Sequence, residues 1–301
     1  MATELLSGIS QIMRGQVPVL ELENRYGCAQ ISLLGGHVLS YQPKDEQGIK
    51  QADVLWCSEQ ALFDGHTPIR GGVPVCWPWF GPYNAEFNAP VEGEQLPNHG
   101  FARKMLWTLS HSEILDQGAI LVELTLQDCE QTRAIWDYAF TLTLRVTLDE
   151  SLHIALITHN QNSHALKITE ALHSYFSVGH AAQVEIDGLS GAQCIDTLQG
   201  VSTRAPARVS VTPPIDNVYL NVGAQLQLKP ASQGRDICLT ASDAHSAVLW
   251  NPGAQIVKGF KDIADSDWPQ FVCLETGNVW HNAVSIPANG THQMAVSLKA
   301  L

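Results

Sequence analysis

Two arginines, one histidine and one glutamate are the residues of this chain whose types and settings best suit chemistry. Arg70 lies in the segment TPIRGGVPVCWPWFGP (67–82), and Arg103 closes LPNHGFAR (96–103). A Gly-Gly pair followed by Pro cannot continue a helix and suits a bent backbone that approaches a ligand closely. Trp77, Trp79 and Phe80 supply flat apolar surface, while the guanidinium forks of Arg70 and Arg103 match the geometry of a phosphate group. A sugar ring wants the first and a phosphate the second. The same residues also suit a rigid surface loop with an aromatic plug and two solvated arginines. His173 stands in LHSYF (172–176), at the end of a predicted strand beside two aromatics. Glu275 stands in FVCLETGN (271–278), behind four mostly apolar strand residues. A carboxylate there is costly unless paired or used. It can cap a turn, or it can be a base with a raised pKa for which His173 is the complementary acid near neutral pH.

Twelve histidines invite a metal hypothesis. A compact site wants two or three His or carboxylates closely spaced on one element. His159 and His164 flank a loop, His173 and His180 lie seven apart without an adjacent carboxylate, and His111, His153 and His245 sit singly. No metal is expected. The seven cysteines form no C-x-x-C pair, which argues against a zinc knuckle or a thioredoxin-like motif. A net charge of −13 leaves no basic stripe for nucleic acid, yet a few clustered arginines can still hold a small anion. The opening MATELLSGIS lacks the pattern of a leader, and no apolar run approaches the length of a membrane span. A cytoplasmic protein with reduced thiols is the expectation.

The elements that must position these residues read as strands almost throughout. Residues 16–24, 29–34 and 37–42 are short β-rich runs broken at Gly35-Gly36 and Pro43. Residues 106–114 and 119–127 flank Asp116-Gln117-Gly118, a hairpin signal. Residues 138–148 (YAFTLTLRVTL) alternate apolar and polar, turn at Asp149-Glu150, and alternate again through 151–158. Further runs follow at 166–171, 183–186, 207–212, 225–229, 236–240 and 247–250. Helical signal is thin, with a turn or two possible at 59–63 and 161–165. Short, evenly spaced strands predict an all-β fold, a sandwich or barrel, formed by residues 1–301 as one domain. Loops rich in Pro and Gly concentrate at 67–97, a stretch too long for a bland connection.

Taken in order, IRGGVPVCWPWFG, LPNHGFAR, ALHSYFSVG, IDGLSGAQCID, VLWNP and FVCLETGN resemble the aldose 1-epimerase (mutarotase) superfamily, and within it the hexose-6-phosphate 1-epimerase branch. They span residues 69–278, most of the chain. The resemblance implies a large antiparallel β-sandwich that interconverts α and β anomers without a cofactor. It implies His173 as general acid and Glu275 as general base. It further implies that Arg70 and Arg103 hold a 6-phosphate while Asn98 and Asp196 contact ring hydroxyls. Two positions depart from the branch. Asn98 stands where Gln often precedes His-Gly-Phe-Ala-Arg, and Asp216-Asn217-Val218-Tyr219 stands where Asp-Arg-Val-Tyr is common.

The expected partner is therefore a small sugar phosphate, with no nucleic acid and no membrane, and a monomer is expected. Two alternatives stay open. One is a mutarotase for unphosphorylated aldoses, which the arginine pair disfavours. The other is a non-catalytic carbohydrate-binding sandwich, which would have no need of an acid–base pair.

Overall fold

The protein is seen in a computed structural model that describes residues 5–91, 96–231 and 235–301. Residues 92–95 of the Pro-Gly-rich loop, and the first four residues of the opening segment, lie outside the described residues. The strand-period pattern produces strands. In Phe140–Leu148 and Leu152–Asn160 buried residues alternate with half-exposed ones along both chains. The two pair from Phe140↔Asn160 to Leu148↔Leu152. The Asp149 carboxylate accepts the Ser151 amide at 2.8 Å and closes the turn between them.

This hairpin sits inside a nine-stranded antiparallel sheet. Its order is Arg208–Ser210, Val184–Asp187, Gln225–Pro230, Ile237–Ser242, Thr291–Ala300, Leu152–Asn160, Phe140–Leu148, Ile120–Gln127 and Thr108–Ile114. The predicted hairpin at 116–118 is present, with Gln117 and Gly118 both at positive φ. The C-terminal strand Thr291–Ala300, unmarked by the pattern reading, fills the middle of the sheet. An eight-stranded sheet packs against this one. It runs Val201–Arg204, Gln193–Asp196, Ile215–Leu220, Ser246–Asn251, Phe271–Asn278, Glu170–Leu172 and Val75–Cys76, and Tyr175–Ser177 also pairs with Phe271–Asn278. Leu144 and Ile154 of the first sheet share one buried cluster with Tyr219, Leu249 and Leu274 of the second. Each such side chain contributes roughly 1.5–3 kcal/mol by leaving water. The architecture is the expected all-β antiparallel sandwich. Four further strands, Ile9–Arg14, Val17–Glu23, Gly27–Ser32 and His37–Pro43, form a meander of their own.

Two local expectations need correction. Residues 59–63 and 161–165 form turns and bends, and the α-helical segments among the described residues are Glu130–Arg133 and Gly253–Ile256. The run 166–171 is two strands, because Asn88 Oδ1 accepts both the amide (3.0 Å) and the hydroxyl (2.8 Å) of Thr169 and interrupts it there. Among the described residues no helix is long and apolar enough to cross a membrane.

Candidate active site

Strand register brings the acid and base candidates together. Leu172 pairs with Thr276 and Tyr175 with Cys273, so His173 falls opposite Glu275. Directly opposed residues of an antiparallel pair project from the same face. His173 Nε2 lies 3.3 Å from Glu275 Oε1. Register carries the same face outward: Glu275 pairs with Val248, Cys273 with Trp250, and Trp250 with Asp216. Val272 and Leu274 point the other way, into the core between the sheets. The outer face of the eight-stranded sheet is thus the floor of a site.

Loops complete it, and two glycines show why these loops fold as they do. Gly71 has φ +105°, and a Cβ there would lie 2.4 Å from Cys57 Cα, so only glycine lets the chain pass and turn Arg70 toward the floor. Gly100 has φ +68° and its backbone lies against Trp77, where a Cβ would meet the carbonyl oxygen at 2.0 Å. That contact sets His99 and Arg103 on either side. His99 itself has φ +61°, a strained region for a non-glycine residue. Its Nδ1 accepts the Gly81 amide at 3.2 Å, which leaves a neutral ring with its proton on Nε2.

The resulting cavity measures about 460 Å³ and includes Arg70, Asn98, Arg103, His173, Asp216 and Glu275 in its lining. That volume lies in the range of small-molecule sites. Trp250, Phe260 and Trp280 give it flat apolar walls. Arg103 Nη2 donates to the Asn98 carbonyl at 2.8 Å, while its buried Nε has no partner among the described residues. Arg70 is more committed: Nε donates to Asp262 Oδ2 and Nη1 to the Tyr175 hydroxyl, both at 3.0 Å. His173 Nδ1 and Glu275 Oε2 are also buried without a partner among the described residues.

The electrostatics push the pair apart. Burial holds Glu275 well above the usual carboxylate range, the Asp216 carboxylate adds to this, and Arg103 opposes it. Burial holds His173 well below the usual imidazole range, and His99, Arg103 and Arg70 push it further down. A neighbouring carboxylate ordinarily raises the pKa of an imidazole. The direction is reversed because Glu275 is itself held toward its neutral acid, while the two arginines carry full charge. His99 is brought down to about 3 by burial and the same two arginines.

Of the six residues singled out from the sequence, five line the cavity and Asp196 does not. Asp196 pairs with Asn217, the neighbour of Asp216 on the strand Ile215–Leu220, so its side chain leaves the opposite face. Its carboxylate accepts the amides of Leu198 (2.9 Å) and Gln199 (3.0 Å) and shapes a turn. Asp216 occupies the position by the cavity instead. The same alternation answers the missing arginine: Asn217 projects away from the cavity, and its amide donates to the Tyr219 hydroxyl at 3.4 Å. Asn98 lines the cavity as expected. Sequence reasoning also missed His99, although it stands inside the quoted HGFAR segment, and Tyr175. Among the described residues no group of three or more His, Cys, Asp or Glu is arranged to hold a metal.

Among solved structures this antiparallel β-sandwich is like that of the mutarotases, a class of sugar isomerases. The chain matches the aldose 1-epimerase family over residues 18–299 and belongs to that family; its class activity is anomer interconversion. A candidate glucose-6-phosphate 1-epimerase from Salmonella typhimurium is 37% identical over 257 residues, covering 82% of this chain and 79% of the relative. One from Escherichia coli is 37% identical over 251 residues, with the same coverage of 82% and 79%. Among solved structures, a candidate mutarotase (YeaD) from Salmonella typhimurium superposes with a TM-score of 0.87 at 29% identity, covering 99% of this chain and 95% of that one.

Proposed function

We propose that the chain interconverts the α and β anomers of a hexose 6-phosphate, glucose 6-phosphate first among them, without a cofactor. The observation that carries this reading is the His173–Glu275 pair, 3.3 Å apart on the floor of the cavity that also collects Arg70 and Arg103. Glu275 takes the proton of the anomeric hydroxyl while His173 delivers one to the ring oxygen. The bond between C1 and the ring oxygen breaks and C1 becomes a carbonyl. Rotation about C1–C2 presents its other face. The freed hydroxyl then attacks, returning its proton to His173 as Glu275 returns its own to the carbonyl oxygen. Both residues end as they began. Each transfer typically contributes on the order of 10²–10⁴-fold.

The cycle needs one proton on the pair in total. In the empty cavity the opposed shifts place that proton toward Glu275. A sugar phosphate brings negative charge near His173 and hydroxyl donors to Glu275, and both favour the ionised pair. Arg103, with its unpartnered Nε, is the principal anchor for the phosphate, and Arg70 supplements it. Asp216, Asn98 and the neutral Nε2–H of His99 address ring hydroxyls. The names of the 37%-identical relatives support the same substrate.

The test compares anomerisation of glucose 6-phosphate with that of glucose. A charge-assisted hydrogen bond contributes about 1.5–3 kcal/mol, so Arg103→Ala raises KM for glucose 6-phosphate by about 10- to 100-fold and leaves glucose unaffected. Equal turnover of the two sugars by the native protein would assign it to unphosphorylated aldoses. Turnover of neither would sink the enzymatic reading for both.

A further inference from the structure

Behind His173 runs a line of contacts that leads away from the sugar. Tyr175 lies two residues further along the same extended segment, so both side chains share a face. Their rings stack with centroids 4.9 Å apart and planes inclined by only 11°. Trp56 and Phe271 pack on the Tyr175 ring at 5.9 and 5.4 Å, and the residue is fully enclosed. Its hydroxyl accepts Arg70 Nη1, and Arg70 Nε is held by Asp262 Oδ2, each at 3.0 Å. The guanidinium also lies over the Phe260 ring at 5.0 Å.

We propose that Asp262 and Tyr175 are positioning residues for His173: Asp262 anchors Arg70, Arg70 fixes the Tyr175 hydroxyl, and the Tyr175 ring fixes the plane of the imidazole. This rests on the reading of His173 as the acid and deepens it. A flat stack lets the imidazole slide within its plane and resists tilting. Tilting is the motion that would carry its N–H off the ring oxygen, and a displacement of that kind is what proton transfer tolerates least. The chain also sets charge. His173 is faced by Glu275 and Cys273 from the partner strand, Asp216 two strands beyond, Cys76 on the other side, Tyr175 from its own segment, and His99, Arg103 and Arg70 from the loops. Arg70 disfavours the imidazolium. Asp262, bonded to Arg70, offsets that charge.

The test uses the whole chain carrying Asp262→Asn or Tyr175→Phe, each of which keeps the shape of the side chain. Turnover of glucose 6-phosphate is followed across pH, and the His173 imidazole is titrated by NMR without substrate. The expected result is a fall in kcat of about 10- to 100-fold in each variant. KM changes little, and the double variant is scarcely worse than either single one. In Asp262→Asn the alkaline limb and the His173 titration both move to lower pH, and Asp262→Glu moves them back. A higher KM at unchanged kcat overturns the proposal, because Arg70 would then serve the anion alone. Wild-type kcat and a wild-type His173 titration in both variants overturn it too. If the native protein turns over no sugar phosphate, the functional reading fails, yet the substrate-free titration still decides the positioning chain.

Discussion

Two buried His–Glu pairs each take one member from the segment 170–173, one closed by Glu275 of the neighbouring strand and the other by His292 of the facing sheet, and they behave in opposite ways. Glu170 and His173 lie three residues apart in the chain, so alternation sends Glu170 to the core face and His173 to the cavity face. Both carboxylates are buried, Glu170 at 0% exposure and Glu275 at 1%. At the core face Glu170 Oε1 meets His292 Nε2 at 2.6 Å and also accepts Asn278 Nδ2 at 3.2 Å. Burial works against a charged His292, but the hydrogen bond to Glu170 and the charges of Glu170 and Asp243 outweigh it and raise its pKa. At the cavity face the pair is looser, at 3.3 Å, and burial with His99, Arg103 and Arg70 drives His173 the other way. The same two residue types make a tight pair where the charges near the imidazole are those of Glu170 and Asp243. They make a looser one where Arg70 and Arg103 stand beside it.

The largest expected effect breaks the pair we propose as acid and base. Glu275→Gln and His173→Asn each lower kcat by on the order of 10²–10⁴-fold while sugar phosphate still binds, and the double variant is scarcely worse than the poorer single one. His292→Asn leaves kcat near wild type. A loss there as deep as that of Glu275→Gln would end the distinction between the two pairs. Across pH the rate follows a bell that belongs to the pair. It falls on the acid side as a second proton arrives and on the alkaline side as the single shared proton leaves.

A smaller effect sharpens the contrast through stability. Removing His292 strips a buried carboxylate of its partner and costs on the order of 3 kcal/mol. Because the folded-state pKa of His292 is raised, the stability linked to its charge is complete below its ordinary pKa of about 6.5 and is lost as pH rises through the folded value. Urea unfolding of His292→Asn therefore shows its greatest deficit near pH 6 and a narrowing one at pH 9; a deficit independent of pH would show that His292 acts by packing alone.

The smallest effect concerns Glu275, whose raised pKa means that its contribution is present below about pH 4.3 and lost as pH rises through its folded value. Glu275→Gln escapes that loss, so it is more stable than the native chain at neutral pH by on the order of 1 kcal/mol. A destabilised Gln variant would mean that Glu275, like Glu170, belongs to the fold.

Much of this was legible in the residues themselves. Period-two alternation marks Phe140–Leu148 and Leu152–Asn160 and turn chemistry marks the hairpin at 116–118, while the ordered segments single out His173, just past the strand Glu170–Leu172, and Glu275, which lies inside the strand Phe271–Asn278 and not at the end where its segment suggested. The strand Thr291–Ala300 carries the same signal in Met294, Val296 and Leu298 but went unmarked. Val75–Cys76 is too short to carry a period at all. These features depend on neighbours within a few positions, so the amino-acid sequence alone determines them. Asp196 and Asp216 show where that ends: both are strand carboxylates, and only the pairing register, in which one step exchanges the two faces of a sheet, decides which meets the cavity. The direction of the His173 shift was likewise beyond local reading. It depends on burial and on Arg70, His99 and Arg103, which are 103, 74 and 70 positions away in the chain, and a field summed over such distances exists only once the sheets have packed and the loops have closed over them.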